Sequence, residues 1–240
     1  MTPVVSLLPP LVVGFAALLA GCDRVASLAS GTALAGFETR CASLPPGRID
    51  VVHVPKPVRE DYSLGNADLE RLAEPTVAHH RTVGLTRAQF GYRSTLEFDG
   101  LEDARGGRSC ARPRVRVEVA SSQMTVFVAR EYRGDPCREP LILEHEYRHV
   151  AVFEGYGKEI APELARDLDE VVGAGVRYAP SMADMRDSLK AELSAHLEGF
   201  MARARDELAA RHAAVDTERE YEMLARTCGA TAGATADLVR

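Results

Sequence analysis

Two histidines and a glutamate within "LILEHEYRHVAVFEG" (141–155) have the residue types and the spacing of a metal site. His145 and His149 are four residues apart, so on a helix both imidazoles lie on one face and can bind the same ion. Glu146 follows His145 directly, where its carboxylate can take a proton from a water molecule on that ion. Zinc favours imidazole ligands and lowers the pKa of bound water to about 7. The pattern therefore predicts a Zn²⁺ site that activates water for hydrolysis, with Glu146 as general base.

The segments before the motif predict the elements that position it. "RVRVEVA" (114–120) alternates valine with charged residues, and "MTVFVAREY" (124–132) follows after a short polar turn, so we expect a β-hairpin with one buried face. Pro140 suits the first turn of a helix, because the N–H that it lacks would have no partner there. We expect the motif helix over 140–154, ended by a turn at 155–157.

The rest of the chain predicts a small sheet and long helices. A third helix, much longer than the others, is expected to begin at Ser181, which with Asp184 resembles a capping box, and its apolar residues recur at helical spacing. The remaining predicted elements are strands at 48–54 and 91–98, a short helix at 67–74, a loop at 102–109 and a second helix at about 159–174. The predicted fold class is α+β, with a small antiparallel sheet packed on the active-site helix and a long helical C-terminal part.

The order of a strand pair followed by a His-Glu-x-x-His helix resembles the zincin metallopeptidases. This resemblance implies a zincin-like fold, a peptide or protein substrate and hydrolysis of peptide bonds. In that class the extended substrate pairs with an edge strand above the helix, and residues 124–130 are the candidate here. The metzincin subclass is excluded, because Val152 and Gly155 stand where its glycine and third histidine would be.

The third ligand is expected from the helix after the motif, as in the gluzincin subclass, which often presents Glu-x-x-x-Asp there. "ELARD" places Glu163 and Asp167 at that spacing. If the helices on either side of the 155–157 turn form an antiparallel hairpin, Glu163 falls level with His149 and Asp167 level with His145. Glu163 is then the expected ligand, and Asp167 the residue that fixes an imidazole tautomer. Three other side chains remain open as the third ligand: Glu154, Glu170 and His196.

The layout over about 48–228 resembles an uncharacterised bacterial family of predicted secreted zinc-dependent proteases. The shared features are the strand pair with a cysteine, the motif helix, the long helices and a late Asp-Thr, here Asp216-Thr217. No catalytic role follows for Asp216, His212 or Tyr221, because a helix stop and cap accounts for the Asp-Thr pair. Two other functions remain open: a non-catalytic metal-binding module, and a helical scaffold lipoprotein whose long helix binds a partner.

The N-terminus predicts export. Residues 11–20, "LVVGFAALLA", form an apolar run of signal-peptide length that is too short to span a membrane. "LAGC" (19–22) resembles the lipobox of bacterial lipoproteins, and Asp23 resembles their inner-membrane retention signal. The resemblance implies a lipid anchor at Cys22 and a place in the cell envelope, which in a Gram-negative bacterium is the periplasmic face of the inner membrane.

Those features divide the chain into four predicted parts. They are a signal peptide at 1–21, a tether at 22–46, a metallopeptidase domain at 47–228 and a disordered tail at 229–240. The net charge of -6, with no basic stripe, argues against a nucleic-acid partner, since phosphate binding needs clustered lysine and arginine.

The cysteine count agrees with an oxidising compartment. The chain has 5 cysteines, and lipidation of Cys22 leaves four, enough for two disulfides. Three pairings are possible. Because Cys110 and Cys137 flank the predicted hairpin, the preferred pairing is Cys110–Cys137 with Cys41–Cys228.

Overall fold

The computed structural model describes residues 36–73, 81–103 and 106–229, and these have the predicted α+β fold. The strands are β1 (Arg48–His53), β2 (Val58–Asp61), β3 (Gly84–Arg87), β4 (Phe90–Asp103), β5 (Arg108–Ser121), β6 (Met124–Val128) and β7 (Arg177–Ala179). The helices are α1 (Phe37–Ala42), α2 (Asn66–Leu72), α3 (Arg138–Val171), α4 (Met182–Val215) and α5 (Glu218–Gly229), with a 3₁₀ turn at Arg130–Tyr132. The predicted signal peptide (1–21) and the first part of the predicted tether, which includes Cys22, lie outside the described residues. So does the predicted disordered tail, apart from Gly229.

The strands form two mixed sheets rather than the one antiparallel sheet that was predicted. In the first, β5 is central between β1, which is parallel to it, and the antiparallel β4, while β7 also pairs with β5. In the second, β6 lies between the parallel β2 and the antiparallel β3. Among the described residues, no helix combines the length and the hydropathy that crossing a membrane requires.

The predicted hairpin of 114–120 with 124–132 is wrong. The alternating valines of β5 are buried as expected, but β5 pairs with β4 along its whole length, and β6 belongs to the other sheet. The predicted loop at 102–109 is correspondingly shorter, since β4 extends to Asp103 and β5 begins at Arg108. Alternation shows which face of a strand is buried, but not which strand lies beside it.

The two helices predicted on either side of 155–157 are one continuous helix, α3. Gly157 is buried where α3 meets β1, and a Cβ at this position would overlap the His53 imidazole. A glycine inside a helix costs about 1 kcal/mol, which packing of the flanking residues offsets. Those flanking residues, Tyr156, Ile160, Leu164 and Leu168, are all buried.

Helix α4 begins as predicted, with the Ser181 Oγ accepting a hydrogen bond from the Asp184 N–H over 3.1 Å. Its apolar stripe packs into the main core with α3 and the first sheet. The stripe consists of Met185, Leu189, Leu193, Leu197, Phe200, Ala204 and Leu208.

Two disulfides form, as the cysteine count predicts, but the preferred pairing is wrong. Cys41 bonds Cys110 and Cys137 bonds Cys228, with Cα–Cα distances of 6.0 and 5.9 Å. The preference rested on the hairpin that does not form. The first bond also ties α1 to β5, so the described end of the predicted tether, 36–46, is packed against the domain, with Phe37 and Cys41 buried.

Candidate metal centre

One face of α3 buries three polar side chains in consecutive turns. His145, Glu146 and His149 are 5%, 5% and 9% exposed, although charged and imidazole groups are rarely buried without partners. The apolar neighbours Ile142, Val150 and Phe153 place this face inward. The motif helix therefore delivers its histidines and its glutamate to a common interior site, as the spacing predicts.

A third group comes from the junction of α4 and α5. Asp216 follows the last residue of α4, and its Oδ1 lies 3.1 Å from His145 Nε2 and 3.1 Å from His149 Nε2. One potential ligand atom from each of the three residues lies within 4.8 Å of the others. Two imidazole nitrogens and one carboxylate oxygen thus converge on one point.

Asp216 is held as a carboxylate. Burial on its own would raise its pKa, but hydrogen bonds from His145, His149 and Tyr221 outweigh burial and bring the pKa well below the ordinary value. The Tyr221 hydroxyl donates to Oδ1 over 3.0 Å. An ionised carboxylate oxygen close to two imidazole nitrogens is a set of ligand atoms that a divalent cation can bind.

Glu146 lies beside the three converging groups and is hydrogen bonded by β3. The Thr86 Oγ1 is 2.8 Å from Glu146 Oε2 and 2.9 Å from the Glu146 carbonyl oxygen. Burial raises the pKa of Glu146 to about 7, while His149 and the Thr86 hydrogen bond oppose the rise. A carboxylate with a pKa near neutrality is suited to both taking up and returning a proton.

The outer nitrogen of His145 faces a charged pair. Its Nδ1 is 3.1 Å from an Arg148 guanidinium nitrogen and 3.8 Å from Glu220 Oε1. Arg148 and Glu220 also bond to each other, and the Arg148 hydrogen bond lowers the pKa of Glu220. A donor and an acceptor are therefore both within reach of His145 Nδ1.

The outer nitrogen of His149 faces a third histidine. His149 Nδ1 lies 2.9 Å from His212 Nδ1, and the His212 ring packs on Phe153 with centroids 4.4 Å apart. Burial lowers the pKa of His212 to about 4, so this ring is neutral at pH 7. Within the described part of the chain, the buried His212 Nε2 has no hydrogen-bond partner.

The expected third ligand, Glu163, does not join the cluster. Because α3 is continuous, Glu163 lies about 21 Å along the helix axis from His149, at 1.5 Å per residue. The Glu163 side chain is also exposed. Asp167 lies still further along, and its Oδ2 is 3.9 Å from His196 Nε2 rather than near His145. The assignments of Glu163 as ligand and Asp167 as tautomer-fixing residue are therefore wrong.

The alternatives left open for the third ligand also lie elsewhere. Glu154 is near His53, with 3.7 Å between Oε2 and Nε2. Glu170 is exposed in the last turn of α3, and His196 is the partner of Asp167. None of the three belongs to the cluster found among the described residues, which is His145, His149 and Asp216.

The sequence did not predict Asp216 as a ligand, because a helix stop and cap already accounted for an aspartate at this position. The helix stop and cap do occur there: α4 ends at Val215, and the Thr217 Oγ1 accepts from the Glu220 N–H over 3.3 Å. The Asp216 side chain has a second function that no local pattern indicates. The one available signal was the late Asp-Thr of the resemblance described above.

The residues present fit a zinc ion. Two imidazole nitrogens and one carboxylate oxygen make three protein ligands, the usual number in catalytic zinc centres, which bind water at a fourth position. The partly buried Asp216 carboxylate has no Lys or Arg among its hydrogen-bond partners in the described segments. A divalent cation would balance the charge of Asp216.

The comparisons with protein families, with curated proteins and with solved structures each returned no match for this chain.

Proposed function

We propose that this protein is a zinc-dependent peptidase of the cell envelope, in which His145, His149 and Asp216 bind the ion and Glu146 is the general base. The observation that carries the proposal is the approach of both imidazole Nε2 atoms to one Asp216 oxygen, at 3.1 Å each, directly beside a buried glutamate. When bound, zinc would act as a Lewis acid that lowers the pKa of water and polarises a carbonyl group.

The chain's own residues supply the proton transfers. With a pKa near 7, Glu146 accepts a proton from the attacking water and returns it to the leaving amine. The Thr86 hydrogen bond holds the carboxylate in one orientation, so that the proton acceptor is in place before the substrate arrives. Burial of Glu146 and the two histidines strengthens the electrostatic interactions between them.

The strand arrangement supports an extended peptide as substrate, but on a different strand from the one expected. Residues 124–130 cannot pair with it, because β6 is covered by β2 on one side and β3 on the other. Strand β3 lies at the edge of this sheet and touches the base through Thr86. We assign peptide pairing to β3, whose outer edge has no strand partner among the described residues.

The two disulfides support an exported protein, since such bonds persist in oxidising compartments. The lipid anchor at Cys22 and the periplasmic location are part of the proposal. Palmitate labelling of the expressed protein, compared with Cys22→Ala, tests the anchor: label retained by the variant would remove Cys22 from this role.

The scaffold alternative has little support, because the apolar stripe that would bind a partner is buried in the protein's own core. The remaining alternative is a metal-binding module without activity. The inactive module would bind the same ion without cleaving peptides. The peptidase and the inactive module therefore differ in whether Glu146 acts as a base.

Metal analysis and a cleavage assay together test the proposal. The purified domain should contain about one zinc per chain, and the double variant His145→Ala plus His149→Ala should lose it. Glu146→Gln should keep the zinc and lose cleavage of a peptide library, whereas Glu144→Gln, the same charge change on the exposed face of α3, should retain both. A wild type without metal refutes the zinc site, and metal without cleavage in the wild type favours the inactive module.

A further inference from the structure

His212 is a neighbour of the metal cluster whose hydrogen bonding is incomplete. Its Nδ1 meets His149 Nδ1 at 2.9 Å, and its Nε2 is buried without a partner in the described segments. The ring is also fixed by packing on Phe153. Buried polar atoms are usually paired, so an unpaired one close to a reactive site suggests a function that requires it.

The positions of the protons follow from the partners. A carboxylate oxygen only accepts hydrogen bonds, so His149 Nε2, facing Asp216 Oδ1, carries a proton. A neutral imidazole carries one proton, so His149 Nδ1 is then an acceptor. At 2.9 Å the two Nδ1 atoms share a single proton, which therefore belongs to His212. His212 Nε2 is left unprotonated.

Binding of a cation reverses this arrangement. His149 Nε2 must offer its lone pair to the ion, and its ring proton must then reside on Nδ1. His149 Nδ1 becomes a donor, so His212 Nδ1 must become an acceptor and carry its proton on Nε2 instead. The bridging proton passes from His212 Nδ1 to His149 Nδ1, His149 Nε2 releases its proton to solvent, and His212 Nε2 takes one up from solvent. The two rings therefore carry two protons before and after.

We propose that His212 is a positioning residue for His149: it holds the ring in both tautomers, through a hydrogen bond that reverses direction when the metal binds. The inference rests on the proposed metal site. An imidazole suits this role because its Nδ1 can donate in one tautomer and accept in the other, whereas a carboxylate only accepts.

His145 also needs a partner for its Nδ1 in each tautomer, and here two different residues supply these partners. Its Nε2 also faces Asp216 Oδ1, so its Nδ1 needs a donor in the empty site and an acceptor in the loaded one. Arg148 is the donor at 3.1 Å, and Glu220 is the available acceptor at 3.8 Å. Both histidines therefore have partners for two tautomers, which a purely structural histidine pair does not need.

The tautomers can be observed directly. Histidine labelled with ¹⁵N distinguishes a protonated Nδ1 from a protonated Nε2 by its two-bond couplings to ring protons. Titration of Zn²⁺ into chelator-treated protein should shift His149 from Nε2–H to Nδ1–H, and His212 from Nδ1–H to Nε2–H. A His212 ring with the same tautomer in both states would overturn the proposal.

Two substitutions at His212 separate hydrogen bonding from packing. His212→Phe keeps a ring on Phe153 but offers no acceptor, and it should weaken zinc binding by about 10- to 100-fold in competition with a chromophoric chelator. His212→Asn places an amide that can donate or accept near the Nδ1 position, and it should recover most of that loss. The unfolding midpoint of the metal-free variants identifies any loss that comes from misfolding.

The outcomes distinguish the two proposals. If the wild type binds no zinc, the metal site itself is refuted, and the role of His212 with it. If the wild type binds zinc and His212→Phe binds it equally well, only the positioning role fails. A folded His212→Asn as weak as His212→Phe would likewise contradict it.

Discussion

The Tyr221 hydroxyl donates a hydrogen bond to Asp216 Oδ1 over 3.0 Å, and the same oxygen faces both motif histidines. Tyr221 belongs to α5, so the helix that follows Asp216 also fixes the orientation of its carboxylate. A carboxylate held by a neighbouring donor loses less conformational freedom when it binds an ion.

Tyr221→Phe should therefore lower zinc affinity by up to about tenfold with little effect on the fold, because only the hydroxyl is removed. Chelator competition on the purified variant measures the affinity. Tyr178→Phe, at a tyrosine that is 56% exposed on β7, is the matched control and should bind zinc as the wild type does. Equal zinc affinities for the two variants would show that the Tyr221 hydroxyl does not support metal binding by Asp216.

The two disulfides should differ in their effect on the site. Cys137–Cys228 ties α5 to the start of α3, while Cys41–Cys110 ties α1 to β5. The bonds join residues 91 and 69 apart, so removal of either should cost a similar amount of stability, up to about 4 kcal/mol. Cys137→Ser plus Cys228→Ser should also weaken zinc binding, and Cys41→Ser plus Cys110→Ser should not. Measured at a temperature where both variants are folded, equal zinc affinities would contradict this prediction.

Gly84 allows Glu146 to occupy its place. A Cβ on Gly84 would lie 2.5 Å from Glu146 Oε1, so Gly84→Ala should displace the carboxylate and reduce turnover by about 10- to 100-fold while zinc is retained. Gly91→Ala on β4 is the control, because a Cβ there has no atom within 4 Å. Turnover and metal content of both variants test the prediction. An unchanged turnover rate in Gly84→Ala would contradict the prediction that the position of Glu146 depends on Gly84.

The ion pair between Arg177 and Glu192 should make stability depend on pH in the acid range. Arg177 bonds both Glu192 oxygens at 2.8 Å, and this lowers the pKa of Glu192 below its ordinary value of 4.5. A lowered pKa stabilises the folded state above that value, and the contribution is lost as pH falls through the folded pKa.

Urea unfolding of the wild type and Glu192→Gln should therefore differ at pH 7 by less than about 1 kcal/mol, because the pair is partly exposed. The difference should shrink below pH 4.5. Glu163→Gln, which removes an exposed carboxylate of α3, should show no such dependence. A difference that grows towards low pH would reverse the sign assigned here.

The elements with strong periodicity were predictable, and the contacts between them were not. The motif helix and the stripe of α4 follow from spacing alone, since a 3.6-residue period identifies the buried face. The break expected at 155–157 did not occur, because burial of Gly157 against β1 outweighs the low helix propensity of glycine.

Within the site, His145, Glu146 and His149 could be predicted because all three lie on one helix. Asp216 could not, since it lies 67 residues beyond His149 and is brought there by the direction of α4 relative to α3. The same limit applies to β6, whose sequence indicated a strand but not the sheet to which it belongs.

Because α4 is long and Asp216 follows its last residue, a small tilt of this helix moves Asp216 by a large distance. Its 34 residues span about 50 Å, so a tilt of one degree about the Ser181 end moves the far end by about 0.9 Å. That displacement is several times the tolerance of a metal–ligand distance, which is about 0.2 Å. Repacking of residues such as Leu189, far from the histidines, would then alter metal affinity by tilting the helix, without any contact with the ion.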